Sequence, residues 1–129
     1  MIIAGIGCKT QCDAKAIIDL IQRAASLTQC PPELLALPAF KADEAGPRAA
    51  AAQLGLQLVL VEREALMAAQ PRCVTHSARA LSTVGLASIA EAAALAAAGA
   101  SGRLILPRIS ENGATCALAD SSPQTGRTL

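Results

Sequence analysis

The sequence predicts an α/β fold: a single three-layer domain with an open, mostly parallel sheet, helices on both faces and a C-terminal antiparallel hairpin. Short apolar runs alternate with stretches of helical period over most of the 129 residues. Three of those runs, Ile2 to Asp13, Leu37 to Pro47 and Ala80 to Glu91, pass through a turn bearing Gly, a charge or a hydroxyl into a helix start. Two further runs lie on either side of Glu111, Asn112 and Gly113, a hairpin signal.

Taken in order, Ile2 to Ile6 with Gly5 and Gly7 reads as a buried strand and a tight turn. Ile17, Ile18, Ile21, Ala24, Ala25 and Thr28 recur at helical spacing, and that helix ends before Cys30, Pro31 and Pro32. Thr10 with Asp13 fits a capping box at its start. Leu34 to Phe40 is a second strand, placed short or at an edge because Pro38 lacks an N–H for the ladder. Asp43 is the expected cap of a helix through Ala49 to Ala52 that stops at Gly55. Leu56 to Val61 is the clearest strand in the chain, and Glu62 to Gln70 a short helix ended by Pro71. Arg72 to Val84 has no sustained period and reads as irregular or briefly helical. Ser88 with Glu91 forms a second capping box, opening an Ala-rich helix that ends at Gly99. Arg103 to Leu106 and Ala114 to Leu118 are the hairpin strands. The domain spans residues 1–119, and 120–129 reads as a disordered tail.

Composition narrows function. Eleven Lys and Arg against ten Asp and Glu leave a net charge of +1, too little for a global field that attracts nucleic acid or a membrane surface. Phe40 is the only Phe, Tyr or Trp, so stacking platforms for single-stranded nucleic acid are missing. Thirty alanines imply closely packed helices around a thin core. The longest apolar stretch, Ala92 to Ala98, is too short to span a bilayer, and MIIAGIG lacks the basic start of a secretory signal, so a cytoplasmic location is expected. Five cysteines without such a signal read as reduced thiols.

Gly5 to Cys8 (GIGC), Lys41 to Glu44 (KADE), Val84 and Gly85 with Ile89 to Leu95 (IAEAAAL), and Leu106 to Ala119 (LPRISENGATCALA) occur in one order over one short domain. In this the chain resembles the CbiG C-terminal domain family of cobalamin biosynthesis, over roughly residues 1 to 119. Stand-alone members of that family are the CobE proteins of the aerobic route, and the chain is expected to be one of these, with no second domain before Met1. The family turn after GIGC is usually basic residues followed by Gly or Ser, whereas Lys9, Thr10, Gln11 and Cys12 stand here. After KADE, Ala45 and Gly46 precede Pro47, and Arg108 replaces a common Lys. The resemblance implies a role in building the corrin ring. In the longer relatives it implies hydrolytic opening of a precorrin ring lactone. For a single domain it implies binding of a carboxylate-rich precorrin or corrin intermediate, with other pathway enzymes as further partners.

A ligand fringed with carboxylates needs cations and free amides along a crevice. The substrate-binding candidates are Gly7, Cys8, Lys9 and Thr10 after the first strand, Lys41, Asp43, Glu44 and Arg48 around the second turn, and Gly85 and Ser88 before the Ala-rich helix. The plainer reading makes Lys9, Lys41 and Arg48 solvated charges and the rest caps. Asp43 and Glu44 are the weak catalytic candidates, since a carboxylate of raised pKa could activate water; either could instead cap the next helix. Glu91 reads as structural, the third residue of its capping box.

No metal site is expected, because Cys8 and Cys12 find no second close pair in Cys30, Cys73, Cys116 and His76. No cofactor is expected either. Cys8 at a helix start could be a nucleophile, yet small cysteines beside glycine turns are commonly buried. His76 among Thr75, Ser77 and Arg79 reads as a surface residue, and Arg72 with Arg79 could form a lid over substrate carboxylates. A nucleotide-binding glycine fingerprint fails at its third position, where Thr10 stands. A second rival is a docking module that uses the Ala-rich helix as its packing face. Exposed apolar residues on that helix would favour docking, and basic residues converging on one crevice would favour corrinoid binding.

Overall fold

The computed structural model describes residues 1–75 and 88–121. Strand β1 (Ile2–Cys8), helix α1 (Ala14–Thr28), strand β2 (Leu34–Pro38), a 3-10 turn (Ala39–Lys41), helix α2 (Ala45–Leu54), strand β3 (Gln57–Val61) and helix α3 (Arg63–Ala68) come first. A second 3-10 turn (Gln70–Arg72), helix α4 (Ile89–Ala98) and strands β4 (Arg103–Glu111) and β5 (Ala114–Asp120) complete the described elements. The sheet among the described residues has the order β3-β2-β1-β5-β4. β1 pairs parallel with β2 and β2 with β3, while β5 runs antiparallel to both β1 and β4, so four of the five strands point the same way.

This topology decides which face each helix covers. The β1-α1-β2 and β2-α2-β3 units step in one direction, so right-handed crossovers place α1 and α2 on one face. The connection from β3 to β4 returns past β1, which places α4 on the other. Alternation along the strands feeds both layers. Ala4, Ile6, Leu35, Leu37, Cys116 and Leu118 pack with Ile17, Leu20, Ile21 and Ala24 of α1 and Ala50 and Ala51 of α2. Ile3, Ala36, Val61 and Ala119 pack with Leu66 of α3 and Ala92, Ala93 and Leu95 of α4.

Gly5 of the first strand belongs to that second interface. A side chain at Gly5 would strike the Ala90 carbonyl and the Ala94 backbone, and one at Gly7 would strike Thr115 Oγ1 of the neighbouring strand β5. Backbone-to-backbone approach of α4 and β1 is therefore what Gly5 permits. It also explains the alanines, since Ala90, Ala92, Ala93, Ala94 and Ala98 are all buried. The Ala-rich helix is thus covered on most of its circumference and offers no broad apolar docking face.

Several sequence expectations are corrected. Asp13, not Thr10, caps α1, its carboxylate accepting the Lys15 amide at 3.3 Å. Glu44, not Asp43, is the N-cap residue of α2. Of the two alternatives for β2, it is short, five residues, and not at an edge: it pairs on both sides because Pro38 is its final residue. The clearest strand by composition, β3, takes the edge instead. The 62–70 helix covers Arg63–Ala68, with a separate 3-10 turn after it, and both hairpin strands run longer than expected. The hairpin turn stands as read: Asn112 (φ 54°) and Gly113 (φ 83°) both adopt the left-handed conformation that an Asn-Gly hairpin turn requires. Most of the 72–84 segment and nearly all of the 120–129 tail lie outside the described residues.

Candidate functional site

The carboxyl ends of β1, β2 and β4 meet at one end of the sheet, where β5 begins. Cys8 pairs with Ala114, and Glu111 pairs with Ala114 from the other side. The turn after β1 (residues 9–13) therefore lies beside the hairpin tip, and the Lys9 amide donates to the Gly113 carbonyl at 3.0 Å. The turn after β2 reaches the same place: the Gln11 amide donates to Glu44 Oε1 at 2.8 Å. Gln11 holds φ 62°, an unfavourable backbone for a residue with a side chain, and the Glu44 bond secures it.

Two glycines missed in the sequence set the spacing of these turns. A side chain at Gly46, in the first turn of α2, would strike the Cys12 carbonyl. A Cβ at Gly113 would lie 2.6 Å from Lys9 Cδ and Cε, so the Lys9 stem rests across the hairpin tip. The signals were present as an Asn-Gly pair and a glycine two residues after KADE, but their contacts are more than thirty residues away in sequence.

The two lysines lie on these two neighbouring turns. The Lys41 charge acts on the Cys8 thiol and the Lys9 charge on the Cys12 thiol. Lys9, Thr10 and Asp13 are exposed, and Lys41 and Glu44 half-buried. Asp43 is exposed, and Arg48 Nε donates to the Ala42 carbonyl at 2.5 Å, bracing the second turn. Beside them an open groove of about 340 Å³ is lined by Lys9, Gln11, Asp13, Lys15, Ala16, Asp19 and Asn112. Within it Lys15 pairs with Asp19 at 2.8 Å. Gly85 and His76 lie outside the described residues, as does Arg79.

The chemistry of the individual groups follows from burial. Burial pushes the Cys8 thiol up to about 11 despite the opposing Lys41 charge, so Cys8 is a neutral thiol near pH 7 and a poor nucleophile. Burial likewise raises Cys12, and Cys116 to about 12. The Glu44 carboxylate is engaged in holding the Gln11 amide, which makes it a clamp between turns. Among the described residues no three His, Cys, Asp or Glu side chains are grouped to hold a metal ion.

Ser88 is buried at the same end of the sheet, and its Oγ accepts the Glu91 amide at 3.4 Å, capping α4. Glu91 does more than complete that cap. It is fully buried, and its carboxylate accepts the amides of Val74, Thr75 and Arg108, each at 2.9 Å. Desolvation raises its pKa, but the hydrogen bonds from Arg108, Thr75 and Val74 outweigh this and hold it below the ordinary 4.5. Glu91 thus joins α4, β4 and the 74–75 segment under the crevice. A single carboxylate inside an alanine run was the available signal. Arg72 donates to the carbonyls of Leu95, Gly99 and Gly102, closing the opposite end of α4, so its guanidinium is not at the crevice.

Comparison with known proteins places this arrangement. Residues 2–119 match the family described as Cobalamin synthesis G C-terminus. Among solved structures, the chain is similar to CobE, a protein from the cobalamin (vitamin B12) biosynthetic pathway, at 34% identity and TM-score 0.86, over 92% of this chain and 89% of that one. It is also similar to the cobalamin biosynthesis protein chiG from Agrobacterium tumefaciens str. C58, at 40% identity and TM-score 0.77, over 95% of this chain and 99% of that one. None of the curated proteins searched matches the chain significantly.

Proposed function

From the premise that the chain belongs to the cobalamin synthesis G C-terminal family, and so to cobalamin biosynthesis, we propose that it binds a carboxylate-rich precorrin or corrin intermediate at the carboxyl end of its sheet. One observation carries the reading: the turn that begins with Lys9 is joined to the turn that follows Lys41 by the Gln11 amide–Glu44 bond, with Gly46 and Gly113 letting the chain close around it. Two ammonium groups on adjoining turns suit peripheral acetate and propionate groups, with charge-assisted hydrogen bonds to each. The open groove beside Lys9 lets the rim of a flat macrocycle approach without enclosing it. Because the clamp is assembled before any ligand arrives, little ordering entropy opposes binding.

The groups support binding over hydrolysis. Glu44 is occupied as a clamp, and Cys8 is a neutral thiol. No helix among the described residues is long and apolar enough to cross a membrane, in keeping with a ligand met in water.

A visible-absorption titration with a metal-free corrin carboxylic acid tests the proposal. Saturable binding is expected, with Lys9→Ala and Lys41→Ala each weakening it about 10-fold, roughly 1.4 kcal/mol. Absence of binding at high micromolar ligand, or binding indifferent to both changes, would refute it.

A further inference from the structure

We propose that two copies of this chain associate through β3, joining their sheets by antiparallel pairing centred on Val59. β3 is one of the two sheet edges among the described residues, and its own sequence bears no charge, proline or bulge of the kind that keeps edges apart. Its sequence, Gln57-Leu58-Val59-Leu60-Val61, has no charge, no proline and no glycine. All five residues hold unbroken register with β2, so no bulge bends the edge away. Leu60 leaves 42% of its surface exposed. The opposite edge, β4, is guarded by Arg103, Pro107, Arg108 and Glu111 and by two register shifts.

A second copy fits this edge better than the other candidates. An open strand edge offers backbone N–H and C=O groups, so its occupant is another extended strand. Two-fold pairing about Val59 sets Leu58 against the partner subunit's Leu60 on one face and Gln57 against the partner subunit's Val61 on the other. No like charges meet: the nearest, the two copies of Glu62, fall at opposite ends of the joint. The uncharged edge has nothing with which to select an acidic or basic partner. Residues 122–129 of the same chain carry Pro123, Gly126 and a single apolar residue, Leu129, a poor sequence for a strand. Five paired residues are well short of the roughly 1,600 Å² of a standard stable interface, so the dimer exchanges with monomer at micromolar concentration.

Sedimentation velocity of the full chain, from about 1 to about 200 µM to span that micromolar range, tests this. The expected mass rises from 13.0 kDa towards twice that value. Leu60→Lys, at an exposed position, is expected to remain single-chain throughout with an unchanged circular dichroism spectrum and melting temperature. Val59→Lys, which sets two like charges at the two-fold axis, is expected to remain single-chain as well. A single-chain mass for the unaltered protein at every concentration would overturn the proposal. So would a dimer that survives both substitutions.

Discussion

The two faces of the sheet are packed by opposite means. Under α1 and α2 the core is branched and bulky, with Ile6, Ile17, Leu20, Leu35, Leu37 and Leu118 interlocking side chain to side chain. Under α4 the packing leans on small residues: alanines of the helix are set among Ile3, Val61, Leu66 and Leu95, Gly5 meets the Ala90 and Ala94 backbone directly, and a buried carboxylate ties the helix to β4 and to residues 74–75. The first kind of contact yields to small changes in volume, because neighbouring rotamers can readjust. The second cannot, because backbone atoms have nowhere to move. The candidate ligand turns sit on the tolerant side and are held by their own clamps, while the rigid side fixes the sheet from which they project.

One added methyl group should expose that contrast most sharply. Gly5→Ala drives a Cβ into the Ala90 carbonyl and should destabilise the protein by about 3 kcal/mol or more. Removing one methylene on the other face, Ile17→Val, should cost about 1 kcal/mol. Urea unfolding of both variants compares them, and equal losses would erase the distinction.

Next in size is Glu91→Gln, which leaves an amide facing three N–H donors and should cost about 2 to 3 kcal/mol. This loss has a definite pH dependence. The folded pKa of Glu91 lies below the ordinary 4.5, so the folded state binds the proton more weakly than the unfolded state. The stabilisation is therefore complete above the ordinary value and fades as pH falls below 4.5 towards and through the lower folded value. Unfolding free energies of the two proteins should differ by a constant amount at pH 6 to 8 and converge in acid. A gap that widened in acid would contradict the assignment.

Gly46→Ala comes third, at about 2 kcal/mol, since its Cβ also meets a backbone carbonyl, that of Cys12, but one in the 9–13 turn and not in the sheet. Unlike the Gly5 change, it should also weaken corrin binding, by displacing the turn that presents Lys9. The smallest effect on stability is expected for Lys9→Ala, within about 0.5 kcal/mol, because the side chain is exposed. Its consequence belongs to affinity alone, and a thermal melt beside the titration separates the two.

Much of this architecture was legible in the sequence, for reasons that differ by element. The Asn112-Gly113 turn and the Gly55 and Ser88 caps were readable because their partners lie within a few residues. The placement of β2 and β3 was not, since an apolar strand looks alike at an edge or in the interior, and Pro38 misleads unless it is known to end the strand. Lys9, Lys41 and Glu44 stand out in the sequence by their positions after strands, yet the contact Glu44 makes is with Gln11, thirty-three residues away. Glu91 was read as a local cap because Ser88 is three residues before it. Its three amide donors come from residues 74, 75 and 108, and such contacts exist only once the sheet has assembled.

Amide chemical shifts of the isotopically labelled chain, followed during addition of a metal-free corrin carboxylic acid, show where the ligand sits. Perturbations are expected to concentrate at residues 9–13, 41–46 and 112–113, with the β4 edge and the far end of α4 unchanged. Saturable shifts clustered elsewhere, or none at those three turns, would contradict binding at the carboxyl end of the sheet.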